Sequence, residues 1–326
     1  MRHEVDIGIL GVRMSHTRRL LRVTIIVAVF LAASFGAFLV LFGRSPLPQP
    51  PPLTEPMPFA APPLGMAVFQ LPTGMTHRSA AFAYQGGSFF DKRDFAMTAV
   101  LVKHPRGDLL IDTGFGRDID AQLRLMPAAF RAITSYERGT SAADQLDAKG
   151  YDRHALRSIV LTHAHWDHVS GVPDFPGTRV WVTPEEHHFI VDDGALSAVA
   201  RSFTSTQYEE YGFEGGRYLA FSRSHDVYGD GSIVIVPAPG HTPGSVIIFL
   251  ALPTGERYAL VGDLVWQLEG ITERLERPWL TRWLTETDPS AVRENILRMS
   301  AIAARFPELI IVPAHDARGF AQMPRL

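Results

Sequence analysis

The stretch THAHWDH occupies residues 162–168 and follows directly on the apolar run Ser158–Leu161. Its potential metal ligands are His163, His165, Asp167 and His168. In an extended loop, alternate side chains point to the same side, so the imidazoles of His163 and His165 can reach one ion. If the chain then turns into a helix, the two later ligands project towards a neighbouring point. The stretch therefore predicts a metal site at the end of a strand.

Three further apolar runs each end in a residue that can bind a metal. They lead into PGHTPGS at 239–245, GD at 262–263 and AHD at 314–316, which supply His241, Asp263 and His315. Because strand ends of one sheet meet at one edge, all seven side chains are expected to converge. We divide them into His163, His165, His241 and Asp167, His168, His315, with Asp263 between the two groups. Such a set would hold two ions about 3.5–4 Å apart. A lone HxHxDH string can arise by chance or serve one metal, but four separate strand ends make coincidence a poor explanation.

From about Leu64 onward, short apolar runs alternate with helical patterns, which favours an α/β domain with covered sheets. The predicted strands are Thr98–Lys103, Asp108–Ile111, Ser158–Leu161, Arg179–Val182, Ile233–Val236, Val246–Leu250, Tyr258–Val261 and Leu309–Val312. A helix is predicted over Thr140–Lys149, before Gly150. Another is predicted to run to about Arg305, with Asp288 as N-cap and Pro289 as its first residue.

These motifs resemble those of the metallo-β-lactamase superfamily, and the resemblance runs from about Phe82 to Ala317. The carrying residues are THAHWDH, PGHTPGS, Gly262-Asp263 and Ala314-His315, and LIDTG at 110–114 resembles the Asp-Thr-Gly turn found early in that fold. The resemblance implies an α/β four-layer αββα sandwich with the metals at one edge. An Asp-Thr-Gly turn also occurs in aspartic proteases, but no second copy is present. We expect Asp112 to support the ligands or the turn.

The resemblance also implies a mechanism of metal-assisted hydrolysis. Two divalent ions, zinc with iron or manganese as alternatives, would share a hydroxide that attacks a substrate carbonyl. Asp263 would bridge the ions, and Asp167 would carry the proton to the leaving group. No serine or cysteine nucleophile is needed.

The ligand set and its compact spacing are most similar to the N-acyl homoserine lactonase group, which implies a small lactone or ester, one that can carry an acyl chain. Asp263 counts against a true β-lactamase, because those enzymes generally lack this aspartate. One departure is Trp266, which stands where the lactonases typically have a tyrosine. Indole can donate a hydrogen bond but has no titratable hydroxyl.

Two other activities stay open. One is a thioesterase of the glyoxalase II type, although such enzymes normally add a helical region and only a short tail follows His315. The other is an iron-dependent persulfide oxidoreductase with one ion, which would need only His163, His165, His241 and Asp263. The presence of the second ligand group favours the hydrolase with two ions.

An uncharged, mostly apolar run of 20 residues, Val23–Phe42, precedes this domain. As a helix it would be about 30 Å long, which matches the hydrocarbon thickness of a bilayer. An uncleaved anchor is favoured over a cleaved signal or a buried core helix, because the small residues lie inside the run. Arginines before the run keep residues 1–22 cytoplasmic, so a single-pass protein with an extracytoplasmic (periplasmic) catalytic domain is predicted.

The chain therefore divides into four segments: a basic N-terminus (1–22), a transmembrane anchor (23–42), a proline-rich linker (43–63) and the hydrolase domain (64–326). Residues 46–63 contain nine prolines. In a polyproline II conformation they would reach ~55 Å, which predicts a stiff stalk that holds the domain off the bilayer. A ligand for a proline-recognition module is the alternative.

The composition excludes several classes of protein. The 326 residues are 46% hydrophobic, and none is cysteine, which excludes disulfides, thiolate zinc sites and iron–sulfur clusters. The net charge is −3, and residues 64–326 carry more acidic than basic side chains. A nucleic-acid partner is therefore not expected. The sequence leaves the oligomeric state open.

Apolar side chains in LERPWLTRWL at 275–284 recur at helical spacing. Core packing is the more frequent explanation, and the alternatives are a lip for an acyl chain or a surface that rests on a bilayer. The remaining histidines have no context typical of ligands, and His187 and His188 are expected on an exposed helix face.

Overall fold

The computed structural model describes residues 8–192 and 194–326. The first seven residues of the predicted cytoplasmic N-terminus lie outside this described part. The helices are α1 (Gly8–Phe42), α2 (Ile119–Gln122), α3 (Ala128–Ile133), α4 (Ala142–Ala148), α5 (Trp166–Val169), α6 (Pro184–Val191), α7 (Ala198–Arg201), α8 (Glu269–Thr272), α9 (Trp279–Thr285), α10 (Pro289–Arg305) and α11 (Ala317–Phe320). Short 3₁₀ helices cover Ala80–Phe82, Leu123–Leu125, Arg153–Ala155 and Val172–Asp174.

The strands are β1 (Ala67–Ser79), β2 (Lys92–Lys103), β3 (Asp108–Ile111), β4 (Glu137–Arg138), β5 (Leu156–Val160), β6 (Arg179–Val182), β7 (Tyr208–Glu210), β8 (His225–Asp226), β9 (Ile233–Pro237), β10 (Val246–Ala251), β11 (Arg257–Leu260) and β12 (Ile310–Val312). They form two mixed sheets. The first has the order β4-β1-β2-β3-β5-β6-β7, and the second has the order β12-β11-β10-β9-β8. In the first sheet β3, β5, β6 and β7 are parallel, and in the second only β11 and β12 are.

The side chains of each sheet alternate between two apolar clusters, as the two-residue period of a strand requires. Ile233 and Ile235 of β9 join Val100 and Val102 of β2 in one cluster, which therefore contains residues of both sheets. The other face of β9 packs with α10, and the other face of β2 packs with residues of α4 and α6. The central strands of both sheets are thus covered on both faces.

The predicted helix after Asp288 is confirmed. The Asp288 side chain accepts hydrogen bonds from the backbone N–H groups of Ser290 and Ala291, and Pro289 is the first helical residue. These contacts satisfy N–H groups that have no partner inside the helix. Val292 and Ile296 then face the core of the second sheet.

All eight predicted strands are present, and their ends differ by at most two residues except for β2, which starts six residues earlier. The long strand β1 was not predicted. Pro72 and Gly74 interrupt its pattern, and the register with β2 shifts between these two residues. A proline and a glycine inside a strand are typical of such a bulge.

The helix α1 contains the predicted anchor. Its segment Arg18–Phe42 is long and apolar enough to cross a membrane, and none of it is buried. The core-helix alternative is therefore wrong. Length and composition alone do not distinguish an anchor from a signal sequence, which passes the same test.

The proline-rich strap, as we call residues 46–63, does not extend away from the domain as a stalk. Leu47 is buried, and its backbone N–H donates to the Arg274 carbonyl at 2.8 Å. Leu53 and Met57 pack against the outer cluster of the second sheet. The Ala61 N–H donates to the Asp230 carbonyl at 2.7 Å. A polyproline II segment has no internal hydrogen bonds, so its free backbone groups can bind a neighbouring surface instead.

Candidate metal centre

The strand β5 ends two residues before the THAHWDH loop, and this loop runs directly into the short helix α5. His165 is extended and stands at the N-terminal end of α5, where its carbonyl accepts from the backbone N–H groups of His168 and Val169. The change from extended loop to helix is the one predicted. It places the first two ligands of the loop on one side and the last two on another.

The first ligand group consists of His163, His165 and His241. One ring nitrogen from each lies within 4.8 Å of the others, and all three side chains are buried. His165 Nδ1 and His241 Nε2 approach to 2.9 Å. Burial, with the neighbouring imidazoles, lowers the pKa of each of the three rings, that of His241 to about 4. The group is therefore neutral near pH 7, the state in which imidazole binds a metal.

The second ligand group consists of Asp167, His168 and His315, which also lie within 4.8 Å of one another. His315 Nε2 is 3.4 Å from Asp167 Oδ2. Burial opposes protonation of both histidines, but the nearby carboxylates outweigh it and raise the pKa of His168 and His315. Burial raises the pKa of Asp167.

Asp263 lies between the two groups. Its Oδ2 is 3.3 Å from His241 Nε2, and its Oδ1 is 3.4 Å from His168 Nε2 and 3.1 Å from His315 Nε2. Burial alone would favour a protonated carboxyl, but the positive charges of His315 and His168 hold the pKa of Asp263 well below its usual value. Oδ2 is also 3.2 Å from His315 Nε2, so the Asp263 carboxylate contacts ligands of both groups.

The structure brings all seven predicted ligands together, and the site fits metal ions. Within the described residues, the buried atoms His163 Nε2, His168 Nε2 and Asp263 Oδ1 have no hydrogen-bond partner. An unpaired buried polar atom costs about 1–3 kcal/mol, and coordination to a metal would remove that cost. Nitrogen and oxygen donors without thiolates suit zinc, iron or manganese.

Asp112 supports the second ligand group, as predicted. Its carboxylate accepts from His168 Nδ1 at 2.8 Å, and from the backbone N–H and hydroxyl of Thr162 at 2.7 Å each. The Asp112 backbone has a φ of 52°, in the left-handed region that aspartate tolerates better than most residues. Because the Nδ1–H of His168 donates to Asp112, the Nε2 atom of His168 faces Asp263 and the other ligands of the second group.

Glu186 was missed by sequence reasoning, although it joins the two loops of the first ligand group. Its buried carboxylate accepts from the Ala164 N–H at 2.6 Å, the Thr242 hydroxyl at 2.6 Å and the Gly244 N–H at 3.0 Å. Burial raises the pKa of Glu186 to about 7. The sequence shows only a helix start, where Thr183 caps the Glu186 N–H. Nothing local to that start indicates which way the glutamate points.

Arg277 was also missed. Its guanidinium donates to the Asp263 carbonyl at 2.7 Å and to Glu286 Oε1 at 2.9 Å. The side chains of Arg277 and Glu286 are 2% and 0% exposed, respectively. The guanidinium also lies over the Trp266 ring, 5.3 Å from its centre. This buried pair fixes the backbone of the aspartate that stands between the two groups.

Trp266 itself contacts the site. Its indole N–H donates to Asp263 Oδ2 at 2.8 Å, and its ring packs edge-on against Phe95. His315 is oriented from the other side, because its Nδ1–H donates to the Ala96 carbonyl at 2.9 Å. Outside the site, His188 is exposed as predicted, and His187 is half-buried and pairs with Glu210 at 2.6 Å.

A buried cluster of histidines and aspartates at the strand ends of two mixed sheets is typical of metallo-hydrolases. The family model described as the metallo-beta-lactamase superfamily matches residues 94–315. The chain therefore belongs to the metallo-β-lactamase superfamily.

Relatives of this chain fall within the same class. "Probable metallo-hydrolase Rv2300c" of Mycobacterium tuberculosis is 31% identical over 235 residues, which cover 67% of this chain and 73% of that protein. The N-acyl homoserine lactonase AttM of Rhizobium johnstonii is 27% identical over 180 residues, covering 53% and 66%, respectively. A solved N-acyl homoserine lactone hydrolase, with N-hexanoyl-L-homoserine as product at its catalytic metal centre, superposes with a TM-score of 0.62. It has 17% sequence identity and covers 79% of this chain and 96% of that one, so it shows the shared fold.

Proposed function

We propose that this protein is a membrane-anchored metal-dependent hydrolase with two ions per chain that opens a lactone or cleaves an ester. The observation that carries the proposal is the position of Asp263, whose carboxylate lies within 3.4 Å of ring nitrogens from both groups of ligands. A site for one ion would not need the second group. Relatives named as metallo-hydrolases and lactonases support the same reaction type.

The proposed ligands are His163, His165 and His241 for one ion, Asp167, His168 and His315 for the other, and Asp263 for both. When bound, divalent ions such as zinc would polarise the substrate carbonyl and lower the pKa of coordinated water. The chain's own contribution is to hold these ligands in place before the ions bind. Asp112, Glu186 and Arg277 do so through the hydrogen bonds described above.

Asp167 and Asp263 are the proposed catalytic carboxyls, and their surroundings differ. Without bound ions, charges from the second ligand group keep Asp263 ionised, whereas burial raises the pKa of Asp167. We assign Asp167 as the carboxyl that would carry a proton to the leaving alkoxide. Asp263 is assigned as the ligand that stays negatively charged.

The proposed substrates are acyl-homoserine lactones or related esters. A lactonase relative and a solved lactone hydrolase of the same fold support this class. Trp266 sets this chain apart from the typical lactonase, because it has no phenolic hydroxyl and its indole N–H already donates to Asp263. A substrate carbonyl in this site would therefore have no phenolic hydroxyl from position 266, and esters other than homoserine lactones are included in the proposal.

The membrane part of the proposal rests on α1. None of the apolar stretch of this helix is buried inside the protein, so it needs an apolar surrounding, which a bilayer supplies. The arginines before the stretch favour a cytoplasmic N-terminus and an extracytoplasmic domain. For the domain itself, the apolar cluster shared by both sheets and the helical cover outside each sheet support the four-layer αββα order.

The test uses the full chain in detergent, loaded with zinc, and follows proton release from a long-chain acyl-homoserine lactone. The metal content of the same sample is measured in parallel. Turnover with two ions per chain, lost in Asp263→Ala but kept in the exposed control Asp118→Ala, is the expected result. Two bound ions without turnover on lactones or simple esters would overturn the substrate assignment. One bound ion per chain would overturn the site assignment.

A further inference from the structure

The predicted core role of the apolar stripe at 275–284 is wrong for its helical part. Trp279 and Trp283 are 50% and 68% exposed, and Leu280 and Leu284 are exposed as well. A second exposed segment lies beside them, because the Thr281 hydroxyl donates to the Phe82 carbonyl at 3.4 Å. We define the aromatic face as the exposed side chains of these two segments: Phe82, Phe89, Phe90, Trp279, Leu280, Trp283 and Leu284.

The aromatic face is continuous with the end of α1. The Phe42 ring lies 6.2 Å from that of Phe82 and 5.0 Å from that of Phe89, and the Phe38 ring lies 6.0 Å from that of Phe89. The Gly86 N–H donates to the Phe42 carbonyl at 2.9 Å, and α9 also contacts α1. The face therefore begins where the apolar stretch of α1 ends, which is the level of the membrane surface if α1 spans the bilayer.

The chemistry of the face suits that level. Trp279 and Trp283 are four residues apart on α9, and their rings are nearly parallel with centres 6.3 Å apart. Both indoles thus lie on one side of the helix. Tryptophan is enriched at the boundary between lipid headgroups and acyl chains, where an apolar ring and a polar N–H are both satisfied. Phe90 is 95% exposed. In water such a ring contributes no hydrophobic stabilisation, because almost none of its apolar surface is buried.

We propose that the aromatic face rests in the outer boundary layer of the phospholipid bilayer that holds α1. The proposal builds on the anchor proposed above and adds a second, peripheral membrane contact made by the catalytic domain itself. The strap agrees with this placement, because it holds the domain close to the end of α1 instead of extending from it.

The contact would also lie next to the metal centre. Immediately before α9, Arg277 donates to the Asp263 carbonyl. Immediately after α9, the Thr287 N–H donates to the carbonyls of Gly240 and His241. Because α9 connects the loops of two ligands, a bilayer in contact with α9 lies beside the site. An acylated lactone or ester dissolved in the bilayer could then reach the site without crossing water.

The absence of cysteine makes the proposal directly testable, because each single-cysteine variant carries one label. Trp283→Cys and Phe90→Cys report on the aromatic face, and Val29→Cys reports on the anchor. Thr254→Cys is the matched exposed control. It precedes β11, so it lies at the opposite end of that strand from Asp263. Each full-length variant is labelled with an environment-sensitive fluorophore and reconstituted into phosphatidylcholine–phosphatidylglycerol vesicles that contain spin-labelled lipids.

The expected result is strong quenching of the Trp283 and Phe90 labels by lipids with a shallow spin label, of the Val29 label by lipids with a deep one, and none at Thr254. If Val29 is quenched while Trp283 and Phe90 behave like Thr254, the face does not touch lipid and the anchor alone stands. If Val29 is not quenched, the anchor fails and the second contact fails with it. If the Trp283 label is shielded from solvent only at high protein density and spin-labelled lipid does not quench it, the face contacts a second copy of the chain. That result would overturn the proposal.

Discussion

The two ligand groups are buried to a similar degree, but the protein holds them in different ways. In the first group, Glu186 accepts its hydrogen bonds from backbone and hydroxyl groups of the two ligand loops. In the second, Asp112 binds the ring of His168 directly. The first group therefore depends on the spacing of its loops, and the second depends on the orientation and charge of its rings. The pKa shifts of the rings have opposite directions because two carboxylates act on His168 and on His315 and outweigh burial, whereas Asp263 alone does not outweigh burial at His241.

The largest effect is expected from Asp263→Ala, because it removes the one side chain that the two groups share. Loss of transition-state stabilisation by several kcal/mol would lower kcat/KM about a thousandfold. Metal content, measured by mass spectrometry, should fall below two ions per chain. If the variant retained two ions and near-normal turnover, Asp263 would not connect the groups.

Asp112→Asn should affect the second group more than the first, because the carboxylate binds His168 directly but reaches His163 only through the Thr162 hydroxyl. Asparagine tolerates the left-handed backbone at this position, so the substitution removes charge and one acceptor without backbone strain. Loss of such support typically weakens metal affinity about 10- to 100-fold, and here the loss should be larger for one of the two ions in a zinc titration. Asp118→Asn, at an exposed position, is the control. Equal weakening of both ions would mean that the two groups are not held independently.

Glu186→Ala should act on the first group through the stability of its loops. The change leaves two backbone N–H groups and one hydroxyl without their acceptor, which should lower the free energy of unfolding by about 3 kcal/mol. The neighbouring variant Glu185→Ala, exposed on the same helix, should leave it unchanged. Urea unfolding of the metal-free protein measures both. A variant as stable as the wild type would show that the loops do not need this carboxylate.

The wild-type protein should show the charge of Glu186 in its pH dependence. Because the folded pKa of about 7 lies above the ordinary 4.5, the folded state binds more protons than the unfolded state between these values. The pH-dependent part of the Glu186 contribution to stability is thus full below pH 4.5 and declines as the pH rises to about 7. The unfolding free energies of wild type and Glu186→Ala should therefore differ more at pH 4.5 than at pH 7, where the loss expected from the three hydrogen bonds remains. Parallel curves would contradict the assignment.

The smallest effect is expected from Glu269→Gln, which tests an outer support of the second group. Burial opposes the charge of Glu269, but Arg318 and Arg93 outweigh it and lower its pKa to about 2. Arg318 also binds Asp316, the neighbour of His315. A lowered pKa stabilises the fold above pH 4.5 and loses that effect as the pH falls towards 2. Since Glu269 is partly exposed, the variant should lose only about 1 kcal/mol at pH 7 and nothing near pH 2. Glu308→Gln is the exposed control, and a loss that did not depend on pH would argue against the ion pairs.

The ligands could be predicted from the sequence because each ligand loop follows an apolar strand, and its first ligand lies three or four residues after the strand ends. The strands belong to both sheets, so the expected convergence at the edge of one sheet describes only part of the arrangement. Glu186 could not be predicted, because its three partners lie in loops far along the chain and its own surroundings look like an ordinary exposed helix start. The strap was predicted with the wrong location, because proline content favours an extended conformation but does not specify binding partners. Helical spacing likewise located the apolar stripe at 275–284, most of which lies in α9. It did not indicate that this part of the stripe is exposed instead of packed in the core.

The strap also determines how the domain would respond to mechanical load. Force along α1 reaches the domain first at Phe42, whose carbonyl accepts from the Gly86 N–H, and next at Leu47, which has reciprocal hydrogen bonds with Arg274. It reaches the Ala61 bond to Asp230 only later. These attachments are loaded one after another, as in peeling, and not all at once. Tension on the membrane helix would therefore release them in chain order, from Phe42 to Ala61, before it pulls directly on β1.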